Sequence, residues 1–292
     1  MHTRAFPYIV LLGFIWGTNL VISRFGVGQL GGVLFTGLRL AAGSLSFITV
    51  IVFTKKQWPR DGRIWKHAMV IGVIGTAIPM TAILSSLQFQ SAGVTAVLIT
   101  TAPAFITLAA HFFLPDERLT LVKTIGVMLA LSGAMVVVLR GETGLPDVKQ
   151  ASIWGYLLVL INILMESATA VYVRRNMRQM DAFDVSAIRI STAALLVLPV
   201  GVAVQGENVT AVTPLGILAL CYAGFIAVFF GQYLAFYITQ RFGATAFSLS
   251  AYIIPVVAAV TGVFLLGETI TIWMLVGMLL VALGIMLINR QG

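Results

Sequence analysis

Charge is what this sequence has least of. Asp, Glu, Lys and Arg make up 10% of its 292 residues, against roughly 25% in an ordinary soluble domain. So few charges cannot wet a globular surface, which excludes a soluble fold and leaves the apolar residues to face lipid. Cysteine is nearly absent too. Cys221 is the only one, so no intrachain disulfide can form, and its place inside an apolar run marks it as a small core residue. Three histidines and that cysteine are scattered, with no metal-ligand spacing, so no metal site is expected. There is no P-loop, no His-Glu-x-x-His and no Gly-x-Ser-x-Gly. An enzyme is therefore not expected, nor a cofactor, nor ATP drive by this chain. A net charge of +8 raises nucleic acid as a partner. The basic residues, however, fall between apolar runs with no interleaved aromatics, so they are topology signals and no nucleic acid is expected.

What is present is long apolar runs. The chain is 59% hydrophobic, with a mean hydropathy of +1.02. A helix needs about 20 mainly apolar residues to cross a bilayer. That length predicts ten spans, at 6–25, 32–54, 65–87, 93–113, 120–140, 152–173, 185–204, 214–238, 244–266 and 271–289. The first run is longer than a signal-peptide core of about 7–15 residues and is read as a retained helix. Placing the N-terminus in the cytoplasm puts Arg4, Lys55, Lys56, Arg60, Arg63 and Lys66 on that side. Arg118, Lys123, Arg174, Arg175, Arg178, Arg241 and Arg290 join them. Only Arg24, Arg140 and Lys149 fall opposite. This positive-inside bias predicts that both termini are cytoplasmic.

The chain also repeats itself. At a shift of 150 residues Arg24 falls on Arg174, Arg39 on Arg189, Leu84 on Leu234 and Gln90 on Gln240. Beyond one added residue in the ninth span, Glu117 meets Glu268, Gly126 meets Gly277 and Gly133 meets Gly284. Shared hydrophobicity alone would not hold such a register. The division is 1–142, a linker at 143–150, and 151–292. Five spans is an odd number, so the second half enters the membrane from the opposite face. The expected fold is an all-α membrane protein of ten helices, two inverted five-helix repeats around a central cavity, as in secondary transporters.

Trp16-Gly17-Thr18-Asn19, Arg39 and Arg189 carry a resemblance, together with two hairpin signatures. These run from Pro103 through Asp116-Glu117-Arg118-Leu119-Thr120, and from Pro255 through Gly267-Glu268-Thr269-Ile270-Thr271. Over essentially its whole length the chain resembles the drug/metabolite transporter superfamily, EamA type. Asp116 stands where the family usually has Gly. The resemblance implies a small-metabolite exporter with ten helices around a cavity. Among subgroups it leans toward the YddG-type exporters of aromatic and other amino acids.

Polar groups inside a span cost free energy and so mark candidate sites. Asn162, Glu166 and Thr169 are spaced four and three apart, on one face of the sixth span. Glu166 is the only acidic residue well inside a span. It reads either as a cavity carboxylate, binding a substrate amine or carrying a proton, or as a hydrogen-bonded contact between helices. Trp16 offers a stacking surface or a packing contact, and Asn19 a cavity polar group. Thr100, Gln232, Ser248 and Tyr252 are further polar candidates, with Met80 and Phe236 as apolar walls. Pro79, Pro103 and Pro255 are candidate hinges, since proline frees a backbone carbonyl of the preceding turn; the alternative is a tolerated kink. For Arg39 and Arg189 carboxylate binding is weighed against capping or snorkelling at helix ends, and the helix-end role is favoured. Glu117 and Glu268, at hairpin turns, are read as structural.

The resulting expectation is an inner-membrane secondary transporter that exports small metabolites, amino acids first, by alternating access. Its partners are the small-molecule substrate and the lipid bilayer, and a monomer suffices. The rivals are the same fold with another metabolite or drug as cargo, and a channel-like facilitator.

Overall fold

The computed structural model describes residues 2–114, 118–148, 151–177, 179–206, 210, 212–242 and 249–289, without the side chains of 2–4, 236, 239 and 240. Among these residues there is no strand. Ten helical rods follow one another: α1 (His2–Leu30), α2 (Gly32–Phe53), α3 (Gly62–Ser86), α4 (Ala92–Ile99 and Ala102–Phe113), α5 (Leu121–Leu139), α6 (Ile153–Asn176), α7 (Ala182–Gln205), α8 (Pro214–Phe242), α9 (Ser250–Leu266) and α10 (Ile272–Asn289). Nine are long and apolar enough to cross a membrane, and α9 is a shorter apolar helix. The chain is a multi-pass membrane protein. The starts and ends lie within a few residues of the sequence expectation. The exceptions are α1, which runs five residues further to Leu30, and α9, whose expected first turns fall largely outside the described residues.

Caps fix the starts. The side chains of Asp61, Ser91, Thr120, Asp181 and Thr213 each accept a backbone N–H of the following first turn. In lipid such donors have no water to turn to. Lys56, at the exit of α2, donates to Asp181 at 3.0 Å and to Asp184 at 2.6 Å, tying that exit to the start of α7.

Packing relies on small residues, because lipid offers no hydrophobic drive between helices. α2 and α7 run antiparallel, with Gly37 against Leu198, Gly201 against Leu34, and the Ser44 and Ser191 hydroxyls 2.7 Å apart. α5 and α10 run antiparallel, with Gly126 on Gly284 and Gly133 on Gly277. α1 runs beside α9, with Gly13 on Ile253 and Gly17 on Val257. α3 lies between α6 and α7, with Gly75 facing Thr169 and Gly72 facing the Arg189 carbonyl.

Two rods depart from α geometry in the same way. α3 is π-helical at Val73–Ala77 and α8 at Tyr222–Phe230. Adding 150 to the first range gives 223–227, inside the second. Such stretches are rare and concentrate at functional sites. In α3 a local cause is visible: Pro79 lies two residues beyond the stretch and has no N–H to close the α-helical ladder.

Cys221 departs from expectation. It is exposed on α8 rather than held in the core. Gly216 and Ala219, on the opposite side of the same segment, take the buried face instead.

Candidate functional site

Polar side chains join α6 to α3 and α7 to α8, and α7 also packs on α3. On α6 the face predicted from spacing is present. Asn162 is buried, and its Nδ2 donates to the Pro79 carbonyl at 3.4 Å. Thr169, two turns on, lies against Gly75. Glu166 stands between them on the same face and therefore looks toward the π-helical stretch of α3. Its side chain is exposed and makes no hydrogen bond among the described residues. A carboxylate in mid-span is thus flanked on its own helix by two residues that touch α3.

Arg189 on α7 supplies the opposing charge. Its Nη2 donates to Gln232 Oε1 of α8 at 2.7 Å, and its Nε is buried with no partner. Glu166 and Arg189 interact electrostatically, yet they are farther apart than the 4 Å of an ion pair, since neither occurs among the ion pairs. Beside Gln232, Gly231 lies against the Trp16 indole and leaves no room for a side chain there. Trp16 of α1 therefore edges the same region.

The helix-end role favoured for the two arginines from sequence does not hold. Arg189 is held inside the bundle by Gln232. Arg39 is only 4% exposed and donates from Nη1 to Ser23 Oγ at 3.1 Å. Ser23 in turn donates to Asn19 Oδ1 at 3.3 Å. Each guanidinium is thus held by a side chain of a neighbouring helix, Arg39 by α1 and Arg189 by α8. The sequence signal was there, a charged group well inside each second helix of the repeat. Which face it occupied was set by packing partners remote in sequence.

The other candidates divide. Asn19 is buried in the Arg39–Ser23 network rather than beside Glu166. Met80 is half-buried and packs on the cluster of Leu40, Ala187 and Ile190. Thr100 and Tyr252 lie elsewhere, lining a pocket of about 280 Å³ between α4, α9 and α10. There the Thr100 hydroxyl donates to the Ala96 carbonyl at 2.6 Å and Tyr252 is hydrogen-bonded to Asn289. Ser248 and the Phe236 side chain lie outside the described residues, as does Glu117. Pro79 and Pro103 each occupy the first turn of a helical segment, whereas Pro255 lies within α9. At the break before Pro103, Thr100 and Thr101 close their hydroxyls on Ala96 and Leu98 carbonyls, which satisfies the backbone there. No group of three or more metal-ligating side chains occurs among the described residues.

Glu268 anchors the end where α1 meets α4. Its carboxylate accepts Arg24 Nη1 at 2.9 Å and the backbone N–H groups of Ala92 and Gly93 at 2.8 and 3.3 Å. The N-terminus of α4 is thereby closed by a residue some 175 positions away.

Comparison with known proteins points one way. A sequence model of the EamA-like transporter family matches residues 3–139 and again 153–290. The uncharacterized transporter YoaV of Bacillus subtilis (strain 168) is 25% identical, over 95% of this chain and 94% of its own. The uncharacterized inner membrane transporter YedA of Escherichia coli (strain K12) is 26% identical, over 98% and 91%. A protein of Salmonella typhimurium (strain LT2) named a probable amino-acid metabolite efflux pump is 22% identical, over 94% and 91%. A crystal structure at 21% identity superposes with a TM-score of 0.67, covering 99% of this chain and 98% of that one; it speaks for the fold alone.

Proposed function

The chain belongs to the EamA-like transporter family, and from that premise we propose that it is an inner-membrane exporter of amino acids working by alternating access. The observation that carries this reading is Glu166. An acidic side chain in mid-span is expensive unless it serves a pathway, and here it is exposed, makes no hydrogen bond among the described residues and lies on the α6 face that meets α3. The name of the Salmonella relative supports the cargo, and YedA supports the compartment.

Alternating access rests on two inverted five-helix repeats. Three observations support them. The family model matches once in each half. The third helix of each half carries its π-helical stretch at equivalent positions. The contacts within α2–α7 and within α5–α10 pair each helix with its own repeat counterpart, as an axis in the membrane plane requires. With the termini cytoplasmic, the Arg24–Glu268 anchor closes the outer end, and Glu166 and Arg189 face the inner half. Of the three candidate hinges Pro255 lies within a helix and is the bending point that exchange of the two states would use, with Pro79 and Pro103 at the joints of α3 and α4.

Counterflow in proteoliposomes tests the reading. Vesicles are preloaded with unlabelled amino acids one at a time, and labelled phenylalanine or methionine is followed. The expected result is transient accumulation driven by the preload. Flux without such stimulation would replace the carrier by a channel-like facilitator. Counterflow with other metabolites only would keep the carrier and change the cargo.

A further inference from the structure

Glu166 and Arg189 form an arrangement that a packing role does not account for. A structural pair of opposite charges inside a membrane closes to contact, because separation leaves both partly desolvated and uncompensated. These two lie within electrostatic range of one another without closing to an ion pair. Arg189 is fixed by Gln232. Its Nε–H points into the protein with no acceptor, and the Glu166 carboxylate has no donor. The Oδ1 of Asn162, one turn from Glu166, is buried and unpartnered as well. Unused acceptors on α6 and an unused guanidinium donor on α7 thus both border α3, where Asn162 meets Pro79 and the Arg189 backbone meets Gly72.

We propose that Glu166 and Arg189 are a two-point receptor for a zwitterion: the Glu166 carboxylate takes the ammonium of an α-amino acid, and the Arg189 guanidinium takes its carboxylate. This rests on the amino-acid reading above and adds to it the recognition of both charged ends. A guanidinium matches a carboxylate with two parallel N–H donors, and Gln232 presets its plane. The pair carries no net charge, so a neutral zwitterion leaves nothing uncompensated in the membrane. An amine lacking the carboxylate would set its ammonium near an unpaired Arg189. An acid lacking the ammonium would set its carboxylate near Glu166. Both meet like charge and forfeit one charge-assisted contact. Selectivity is therefore against the half-molecules, and the amino-acid side chain is left to the edge marked by Trp16.

The test is competition in the counterflow assay, with phenylalanine or another amino acid that the wild-type protein exchanges, and the decarboxylated and deaminated analogues of that amino acid. For phenylalanine these are phenethylamine and 3-phenylpropionate. In the wild type each analogue should compete at least about tenfold more weakly than the parent, as expected for one lost charge-assisted contact. Arg189→Gln should erase the preference over phenethylamine and keep that over 3-phenylpropionate. Glu166→Gln should do the reverse, and Arg189→Lys should retain part of the preference. If either analogue competes as well as the amino acid in the wild type, the two-point receptor is overturned while amino-acid transport stands. That comparison needs no variant to fold. If no amino acid gives counterflow, the transport reading fails and the receptor with it.

Discussion

At the scale of single residues, the firmest arrangement is around Glu268. Its side chain is 3% exposed and meets three donors, one of them the partly exposed Arg24. A carboxylate so enclosed is stabilised by its partners alone, and Gly262 leaves it room: a methyl group on Gly262 would collide with the carboxylate. Glu268→Gln keeps the size and one acceptor but removes the charge that Arg24 and the α4 amides answer. The expected loss is about 1.5–3 kcal/mol, the usual worth of a hydrogen bond to a charged group. It is read as a lower melting temperature in detergent. Arg24→Gln should act in the same direction, and the double variant should lose less than the sum of the two, because they share one interaction. An unchanged melting temperature in Glu268→Gln would refute the anchor. The structural role of Glu268 was legible from its place after Gly267, whose φ of +64° makes the turn. That its partners sit on α1 and α4 was not, since no local pattern encodes a contact across half the chain.

At the scale of helices, run length decides most of what the sequence could say. Spans are bounded by Pro59 to Asp61, by the glycines of 141–144 and by the capping residues, all local signals, so element positions were readable to within a few residues. Departures from α geometry were legible only in part: Pro79 marks the stretch in α3, whereas α8 has no proline between 222 and 242 to announce its own. The positions of Arg39 and Arg189 show the same limit: periodicity places a residue on a face, and only packing says what the face meets. Glycine contacts lie between these cases. Gly126 and Gly133 matched Gly277 and Gly284 in the repeat, and in the structure the four meet across α5 and α10. A methyl group on Gly133 would lie 2.7 Å from the Gly277 carbonyl oxygen, and backbone cannot yield as a flexible side chain can. Gly133→Leu should therefore destabilise the protein by about 1–3 kcal/mol or more, as overpacking does. Met128→Leu, at an exposed position on the same helix, should be close to neutral. Equal melting temperatures for the two would mean that α5 and α10 do not depend on close approach.

At the scale of the whole molecule, sidedness ties the candidate site to a direction of transport. Helices packed antiparallel, such as α2 with α7 and α5 with α10, are consistent with either orientation in the membrane. Only the distribution of basic residues breaks the tie. Lys55, Lys56 and Arg60 lie between α2 and α3, with Arg63 and Lys66 in the first turns of α3, whereas the α5–α6 connection, with Gly141, Gly144 and Pro146, holds only Arg140 and Lys149. With the basic loop in the cytoplasm, Arg189 is eight residues into α7 from the cytoplasmic end, about 12 Å at 1.5 Å per residue. Glu166 is ten residues from the end of α6 on the same side. The receptor would then be loaded from the cytoplasm, as export demands, with the Arg24–Glu268 anchor closing the far side. Cys221 is the only cysteine, so Cys221→Ser gives a background on which single cysteines report sidedness. Arg60→Cys lies in the basic loop and Val148→Cys in the α5–α6 connection, and both positions are exposed. In intact cells a membrane-impermeant maleimide should label Val148→Cys and spare Arg60→Cys until the membrane is permeabilised. The reverse pattern would turn the molecule over, put Glu166 and Arg189 toward the outside, and make uptake the direction that the geometry supports.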